Sequence, residues 1–291
     1  MQAMQTDLKL LASGIAMGES PRWHQDRLWL ADWGAQEILA VSLTGNDLAG
    51  KVERMVQVPF ALPFCFDWLA DGRLVIVAGR EGRLVRQEAD GSLVTHADLT
   101  PLSSNAWNEI VVDGRGNAYI NTGDAIALVR PDGSVAKVAD GGAFPNGMAV
   151  TPDNATLILA ESHGRCLTAF DIAADGSLSG RRTWAQVDGP PDGITIDADG
   201  AVWYADVPNK RCVRVLEGGK VTQTVTADRG CFACMLGGAA MQTLFVVATE
   251  WRGMDKVAEV AAARTGQLLA IEAPAAAAGW PGPILTSPIN H

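Results

Sequence analysis

The sequence predicts an all-β protein, a six-bladed β-propeller with four-stranded antiparallel blades around a central metal-containing tunnel. Short alternating runs are separated by nine Asp-Gly pairs, at residues 71–72, 90–91, 113–114, 132–133, 140–141, 175–176, 188–189, 192–193 and 199–200. Asp-Gly is typical of tight hairpin turns, because both residues tolerate a positive φ. Strand-turn-strand segments recur six times at a spacing near the 40–45 residues of a propeller blade. Long helical periodicity is missing, apart from a short candidate segment near residues 254–264.

Each repeat begins with a strand, continues through a turn and returns along a second strand. The clearest copies span residues 19–32, 108–121, 146–161 and 192–206, with the turn starting seven residues after the first position. The same offset from Asp71 predicts Phe64 for the second unit, and a looser sixth copy gives Ala233. We call these first positions the anchors: Glu19, Phe64, Asn108, Asn146, Asp192 and Ala233. Successive anchors are 45, 44, 38, 46 and 41 residues apart, which favours six blades in one domain over residues 1–291.

The ends of the chain are expected to complete the ring. A strand near residues 8–12 is expected to pair with the last blade near residues 266–272, which would close the propeller. The tail over residues 273–291 is rich in Ala, Pro and Gly, and we expect it to be irregular.

The anchors predict a metal site, because equivalent positions in a propeller surround one axis. Four of them carry oxygen donors: Glu19, Asn108, Asn146 and Asp192. Buried together without a partner, these groups would be costly, whereas a divalent cation satisfies them. An all-oxygen set favours Ca²⁺ and disfavours a soft metal, with Zn²⁺, Mn²⁺ and Mg²⁺ left open. The alternative is that Asn and Asp merely cap turns, and their shared register argues against it.

Other residues are expected near the mouth of the tunnel. The second strands end at Asp32, Asn121, Glu161, Asp206 and Glu250, which either line the entrance or simply solvate strand ends. From this set and the nearby aromatic residues, the predicted substrate-binding residues are Phe64, Trp107, Asn121 and Asp206.

Composition excludes several classes of partner. A formal charge of −10 and a pI near 4.8 argue against nucleic acid or an anionic membrane. No secretory signal is recognised, and five cysteines, an odd number, do not indicate a disulfide framework, so a reducing, cytoplasmic setting is expected. A monomer or small homo-oligomer is also expected. Cys231 and Cys234 form a C-x-x-C pair, but residues i and i+3 of a regular strand point to opposite faces, which disfavours a redox motif.

Three segments resemble the gluconolactonase/regucalcin (senescence marker protein)/luciferin-regenerating-enzyme family over roughly residues 15–270. They are Gly-Glu-Ser-Pro-Arg-Trp at 18–23, Phe-Pro-Asn-Gly-Met-Ala-Val-Thr-Pro-Asp at 144–153, and Pro-Asp-Gly-Ile-Thr-Ile-Asp-Ala-Asp-Gly-Ala-Val-Trp at 191–203. The resemblance implies a six-bladed propeller with a divalent metal in its tunnel. It matches Glu19, Asn146 and Asp192 to metal ligands, and Asn108 to a further Asn that contacts metal or substrate.

Two departures from that family bear on the substrate. Sugar-lactone-hydrolysing relatives often have Arg where Ala106 stands, so a less polar substrate is expected here. The connection over residues 121–126 is short, which would leave the mouth more open.

The predicted activity is metal-dependent hydrolysis of a lactone, with Asp192 as ligand and as base or nucleophile. Two alternatives use the same residues: hydrolysis of a phosphotriester or fluorophosphate, and a calcium- or ligand-binding propeller without turnover.

Overall fold

The strands form six antiparallel sheets in a ring, which confirms the predicted six-bladed propeller. The structure is a computed structural model and describes residues 8–43 and 50–282.

The first strand, β1 (Lys9–Ile15), belongs to the last blade. Blade 1 contains β2 (Gly18–His24), β3 (Arg27–Asp32), β4 (Glu37–Leu43) and β5 (Gly50–Gln57). Blade 2 contains β6 (Phe64–Trp68), β7 (Leu74–Ala78), β8 (Arg83–Gln87) and β9 (Leu93–Asp98). Blade 3 contains β10 (Ile110–Val112), β11 (Ala118–Thr122), β12 (Ala125–Val129) and β13 (Val135–Ala139).

The second half of the ring repeats this order. Blade 4 contains β14 (Pro145–Val150), β15 (Thr156–Glu161), β16 (Cys166–Ile172) and β17 (Leu178–Gln186). Blade 5 contains β18 (Ile194–Asp197), β19 (Val202–Asp206), β20 (Arg211–Val215) and β21 (Val221–Thr226). Blade 6 contains β22 (Gly230–Gly237), β23 (Thr243–Thr249), β24 (Gly266–Glu272) and β1.

The core consists of six hydrophobic clusters, one between each pair of neighbouring blades. A blade between two others is covered on both faces, so its middle strands are apolar throughout rather than alternating. All five residues of β7 and of β12 are buried for this reason. Five of the nine Asp-Gly pairs form hairpin turns with a positive φ at glycine, at residues 71–72, 90–91, 132–133, 175–176 and 199–200. The pairs at 140–141 and 188–189 lie between blades, and the pair at 192–193 stands at the start of an innermost strand.

Ring closure follows the prediction. The strand β1 pairs antiparallel with β24, with Lys9 opposite Ala270 and Ile15 opposite Gly266. The last blade therefore takes its outer strand from the beginning of the chain, which covers an edge that would otherwise be exposed.

The tail, predicted to be irregular over residues 273–291, is mostly irregular over residues 273–282 but contains a short strand, and residues 283–291 lie outside the described residues. Residues Ala277–Ala278 form a short strand, β25, that pairs with the far end of β18, and Trp280 bridges to Val150 at the end of β14. Backbone hydrogen bonds from Ala273 to Gln242 and from Ala277 to Met241 tie the same segment to blade 6. The tail thus crosses the end of the channel opposite the anchors. The tail pairs through its backbone groups, which any residue can provide. The alanine-rich sequence therefore shows no alternation of apolar and polar residues that would predict a strand.

One short helical segment interrupts the strands. A 3₁₀ turn at Met254–Lys256 leads into the helix α1 (Val257–Ala263), within the predicted 254–264 range. In the described part of the chain, no helix has the length and apolar character needed to span a membrane.

Candidate functional site

The four oxygen-bearing anchors lie at the same end of the channel, which we call the mouth. Glu19 and Asn146 are the second residues of β2 and β14. Asn108 and Asp192 precede β10 and β18 by two residues, and their backbone N–H groups donate to Asn121 and Ala205 across the blade, both at 2.9 Å. All four therefore occupy the start of an innermost strand.

Hydrogen bonds between blades hold these residues together. The Asn108 Nδ2 donates to the Pro145 carbonyl oxygen at 3.3 Å, and the Asn121 Nδ2 donates to the Asn146 carbonyl oxygen at 2.6 Å. The Gly147 N–H donates to the Asp192 carbonyl oxygen at 3.2 Å. Blades 3, 4 and 5 are thus linked directly at the mouth.

The two carboxylates repel each other. Burial raises the pKa of Glu19 well above its ordinary value, and the nearby charges of Asp192 and Glu109 raise it further. Burial likewise raises the pKa of Asp192, as does Glu109, while the Asn146 side chain lowers it. Among the described residues, no backbone N–H, arginine or lysine donates to the Asp192 carboxylate. The site therefore favours a bound positive charge.

These residues fit a hard divalent cation. Asn108 and Asn146 use Nδ2 as a donor, Asn146 towards the Ser162 hydroxyl at 3.4 Å, which leaves each amide oxygen available as a ligand. Two carboxylates and two amide oxygens are ligands that Ca²⁺ accepts. Over residues 8–43 and 50–282, no three His, Cys, Asp or Glu side chains gather as a metal cluster, so the amide oxygens are essential to this assignment.

A buried ion pair below the mouth was missed by sequence reasoning. The Arg22 guanidinium lies 3.0 Å from the Glu109 carboxylate and 3.8 Å from that of Asp67. Its Nη2 also donates to the Ile110 carbonyl oxygen at 2.7 Å. A signal was present, because Arg22 and Asp67 both stand three residues after an anchor, where the other four units have Val, Ala, Thr and Leu.

A bulge at the start of β2 explains why Glu19 and Arg22 both face the channel. The pairing of β2 with β3 runs from Glu19 opposite Ala31 to Arg22 opposite Trp29, which inserts one extra residue. Equivalent shifts occur in β14 after Pro145 and in β22 after Cys231. A bulge reverses the alternation of side chains, so residues three apart point the same way.

The same bulge corrects the argument about the C-x-x-C pair. Cys231 and Cys234 do not point to opposite faces: both are buried in the cluster between blades 5 and 6, together with Cys212. All three thiols are free. A hydrogen bond with Cys212 and burial raise the pKa of Cys231, which makes its thiol a poor nucleophile.

All four predicted substrate-binding residues are buried, two among apolar side chains and two among polar groups. Phe64 and Trp107 are 0% exposed and pack in the clusters that join blade 2 to its neighbours. Asn121 is buried, and its Oδ1 has no partner among the described residues. Asp206 is buried and accepts hydrogen bonds from Asn209 and Arg211. A substrate role for these four residues stays a prediction, and complete burial does not support it for the two aromatic side chains.

The acidic second-strand ends mostly hold loops in place. The Asp32 carboxylate accepts hydrogen bonds from the backbone N–H groups of Ala16 and Met17, both at 2.9 Å. The Glu161 carboxylate accepts hydrogen bonds from the Ala143 N–H at 2.8 Å and from the Thr168 hydroxyl at 2.6 Å. These contacts stabilise the connections around the mouth.

Phe144 is the aromatic residue that the mouth exposes. It lies two residues before Asn146, is 50% exposed and stacks on His163 with the ring centroids 4.6 Å apart. Its φ of 60° is unfavourable for a bulky side chain, and such strain is concentrated at functional sites. Ala106 is also exposed. The mouth therefore has an apolar part.

A cleft of about 260 Å³ opens on the same side of the propeller, between blades 5 and 6. It is lined in part by Lys210, Arg229 and Trp251. Trp251 packs edge-on against Phe232, with the ring centroids 5.4 Å apart. The Phe232 carbonyl oxygen accepts a hydrogen bond from the Gly193 N–H, next to Asp192. Phe232 therefore lies between the cleft and Asp192, one of the candidate metal ligands.

Comparisons with known proteins show the family and the fold. The SMP-30/Gluconolactonase/LRE-like region matches residues 17–250. Pentonolactonase XacC of Haloferax volcanii is 27% identical over 216 residues, covering 69% of this chain and 70% of that protein. Regucalcin of Xenopus laevis is 32% identical over 265 residues, covering 82% and 85%. A solved regucalcin of Agrobacterium tumefaciens, described as a calcium-binding protein, superposes with a TM-score of 0.77 at 20% identity, covering 97% and 98%. At that identity the structural likeness concerns the fold.

Proposed function

Because the chain belongs to the SMP-30/gluconolactonase/LRE-like family, we propose that it is a metal-dependent lactonase. The observation that supports the proposal is that four oxygen-bearing anchors stand at the start of innermost strands at the mouth, with the buried carboxylates of Glu19 and Asp192 close enough to interact electrostatically. Glu19, Asn108, Asn146 and Asp192 are the proposed ligands of one divalent cation, with Ca²⁺ the best match to an all-oxygen set. The relatives named for lactone hydrolysis and for calcium binding support the same choice.

The cation would polarise the lactone carbonyl and stabilise the negative charge that develops on its oxygen. Asp192 is proposed to accept a proton at its carboxylate from the attacking water. The same proton then returns to the ring oxygen as the carbon–oxygen bond of the ring breaks.

The substrate is proposed to be less polar than a sugar lactone. Exposed Phe144 and Ala106 present apolar surface at the mouth, whereas a polyhydroxylated ring would require hydrogen-bonding groups there. The aromatic ring of Phe144 is rigid and already exposed, so little conformational entropy is lost when a ligand packs on it.

The test compares an aliphatic δ-lactone, dihydrocoumarin, gluconolactone and a phosphotriester, before and after chelation and after the return of Ca²⁺, Mn²⁺ or Zn²⁺. We expect the two less polar lactones to be hydrolysed fastest, with activity lost on chelation and restored by a metal. Asp192→Asn should be inactive, whereas Asp199→Asn, which removes an exposed carboxylate at the other end of blade 5, should be active.

The outcomes separate the alternatives. Activity that survives chelation, or that is unchanged in Asp192→Asn, contradicts the proposed site. Preference for the phosphotriester favours the phosphotriesterase alternative. If nothing is hydrolysed but Ca²⁺ raises the melting temperature, the protein is a calcium-binding propeller without turnover.

A further inference from the structure

Glu109 lies directly after Asn108, yet its carboxylate turns away from solvent and accepts three hydrogen bonds. The Ile110 N–H donates to Oε1 at 2.9 Å, and the Arg22 Nη2 donates to the same oxygen at 3.0 Å. The Ser20 hydroxyl donates to Oε2 at 3.1 Å. Both oxygens are therefore occupied by protein groups, which suits a carboxylate that orients its neighbours rather than one that binds a ligand itself.

Ser20 connects this carboxylate to Glu19. The Ser20 N–H donates to the Glu19 Oε2 at 2.7 Å, while its hydroxyl donates to Glu109. The residue has a φ of 47°, in the left-handed region, and it is almost completely buried at the bulge of β2. A serine is strained in that conformation. The strained backbone directs its N–H group towards Glu19 and its hydroxyl group towards Glu109.

We propose that Glu109 is a positioning residue, which fixes the Glu19 carboxylate for metal binding through Ser20. The contact joins blade 3 to blade 1, since Ser20 and Glu109 are 89 residues apart in the chain. It places the support of one metal ligand immediately beside another, Asn108. This inference rests on the proposed metal site.

Asp67 provides a matched comparison. Its carboxylate also lies beside Arg22, at 3.8 Å, and is also buried, but it accepts hydrogen bonds from the Val112 and Trp68 N–H groups. It makes no hydrogen bond to Ser20 or Glu19 within the described residues. Removing either acid therefore takes one charge from Arg22, whereas only removal of Glu109 breaks the connection to Glu19.

The experiment measures the affinity for Ca²⁺, and in parallel for Mn²⁺, by calorimetry on the metal-free protein near neutral pH. The variants are Glu109→Gln, Ser20→Gly, the double variant, and Asp67→Asn. Glycine suits position 20 because it adopts a positive φ without strain and keeps the backbone N–H. Circular dichroism and melting temperature verify folding, and Ser20→Gly tests the connection even if Glu109→Gln fails to fold.

We expect Glu109→Gln to weaken binding by about 10- to 100-fold, the usual effect of removing a group that orients a metal ligand. Ser20→Gly should cause most of that loss. The double variant should bind Ca²⁺ with about the same affinity as whichever single variant binds it less tightly, because both changes break the same connection. Asp67→Asn should bind within about threefold of the unmodified protein, the scatter expected for a group outside the connection.

Two results overturn the inference. Unchanged affinity in Glu109→Gln or Ser20→Gly contradicts it, and so does an equal loss in Asp67→Asn, which would assign the effect to the unbalanced charge of Arg22. In both cases the unmodified protein still binds metal and hydrolyses lactones. If the unmodified protein binds neither cation, the proposed metal site fails and this inference fails with it.

Discussion

The channel has two unlike walls. Blades 1–3 contribute the polar and charged side chains of Ser20, Arg22 and Glu109, together with Pro21, and Asp67 lies beside Arg22. Below Asn146 and Asp192, blades 4–6 contribute small and apolar residues: Gly147, Met148, Gly193, Ile194, Ala233 and Cys234. The space between them holds about 10 Å³, enough for a single water.

The walls are held together by different interactions. Side-chain hydrogen bonds and an ion pair join blades 1 and 3, whereas the opposite wall depends on close approach of the backbone. A Cβ atom at Gly193 would lie 2.5 Å from the Ala233 Cβ, and one at Gly147 would lie 2.6 Å from the Asp192 carbonyl oxygen. The two carboxylates of the site stand on different walls. Glu19 is held by a hydrogen bond on the polar wall, while Asp192 stands on the apolar wall and is the one we assign to proton transfer.

The largest expected effect separates these two carboxylates. Glu19→Gln should weaken metal binding, so that excess Ca²⁺ restores a large part of the lactonase activity. Asp192→Asn removes the proposed base as well as a ligand, so its kcat should fall by about two to four orders of magnitude at any Ca²⁺ concentration. Lactone hydrolysis measured across a Ca²⁺ titration distinguishes the two. Equal rescue of both variants would remove the functional difference between the walls.

A smaller effect should follow from removing the cation of the polar wall. Arg22→Ala leaves Glu109 and Asp67 buried without a counter-charge, which should lower the free energy of unfolding by about 3–5 kcal/mol. Unfolding in urea measures the change. Arg73→Ala removes an arginine from a surface pair with Asp71 and should change stability by less than about 1 kcal/mol. If the two variants are equally stable, the buried pair does not support this wall.

The apolar wall should respond to volume instead of charge. Gly193→Ala forces its new methyl group against blade 6, with an expected loss of about 1–3 kcal/mol by the same measurement. Gly123→Ala is a suitable control, since the nearest atom to its Cβ is 3.8 Å away. A neutral effect of Gly193→Ala would mean that blades 5 and 6 separate easily.

The sequence predicts the parts of this molecule that depend on periodicity. The fixed offset between each anchor and the following turn sets the register, which predicts the six blades, and the strand pattern at the two ends of the repeat predicts ring closure by β1. The same register places Glu19 and Asp192 at one end of the channel. It does not show which aromatic residues near the anchors are exposed, so it predicts Phe64 and Trp107 as substrate contacts although both are buried and Phe144 is exposed.

The features that the sequence did not predict result from local departures from regular strand geometry. The strict alternation assumed for Cys231 and Cys234 is broken by a bulge, and the bulge in β2 brings Arg22 into the channel. A bulge depends on backbone pairing with the next strand, which a period of two cannot reveal. The strand β25 is made by backbone bonds from an alanine-rich tail and has no pattern of its own.

The smallest expected effect is the pH dependence that Asp67 of the polar wall contributes. Burial raises the pKa of Asp67 from 3.8 to about 6, so the folded protein binds more protons there than the unfolded chain between these values. The stability contributed by Asp67 is therefore complete below about pH 3.8 and is lost as the pH rises towards 6, by less than about 1.4 kcal/mol per pH unit. Asp67→Asn should flatten the dependence of unfolding free energy on pH in this window, in urea titrations of the metal-free protein. The Asp199→Asn variant, with an exposed carboxylate replaced, should keep the original slope. Equal slopes in all three proteins would mean that Asp67 stays ionised beside Arg22, and the polar wall would then carry a full negative charge at acidic pH.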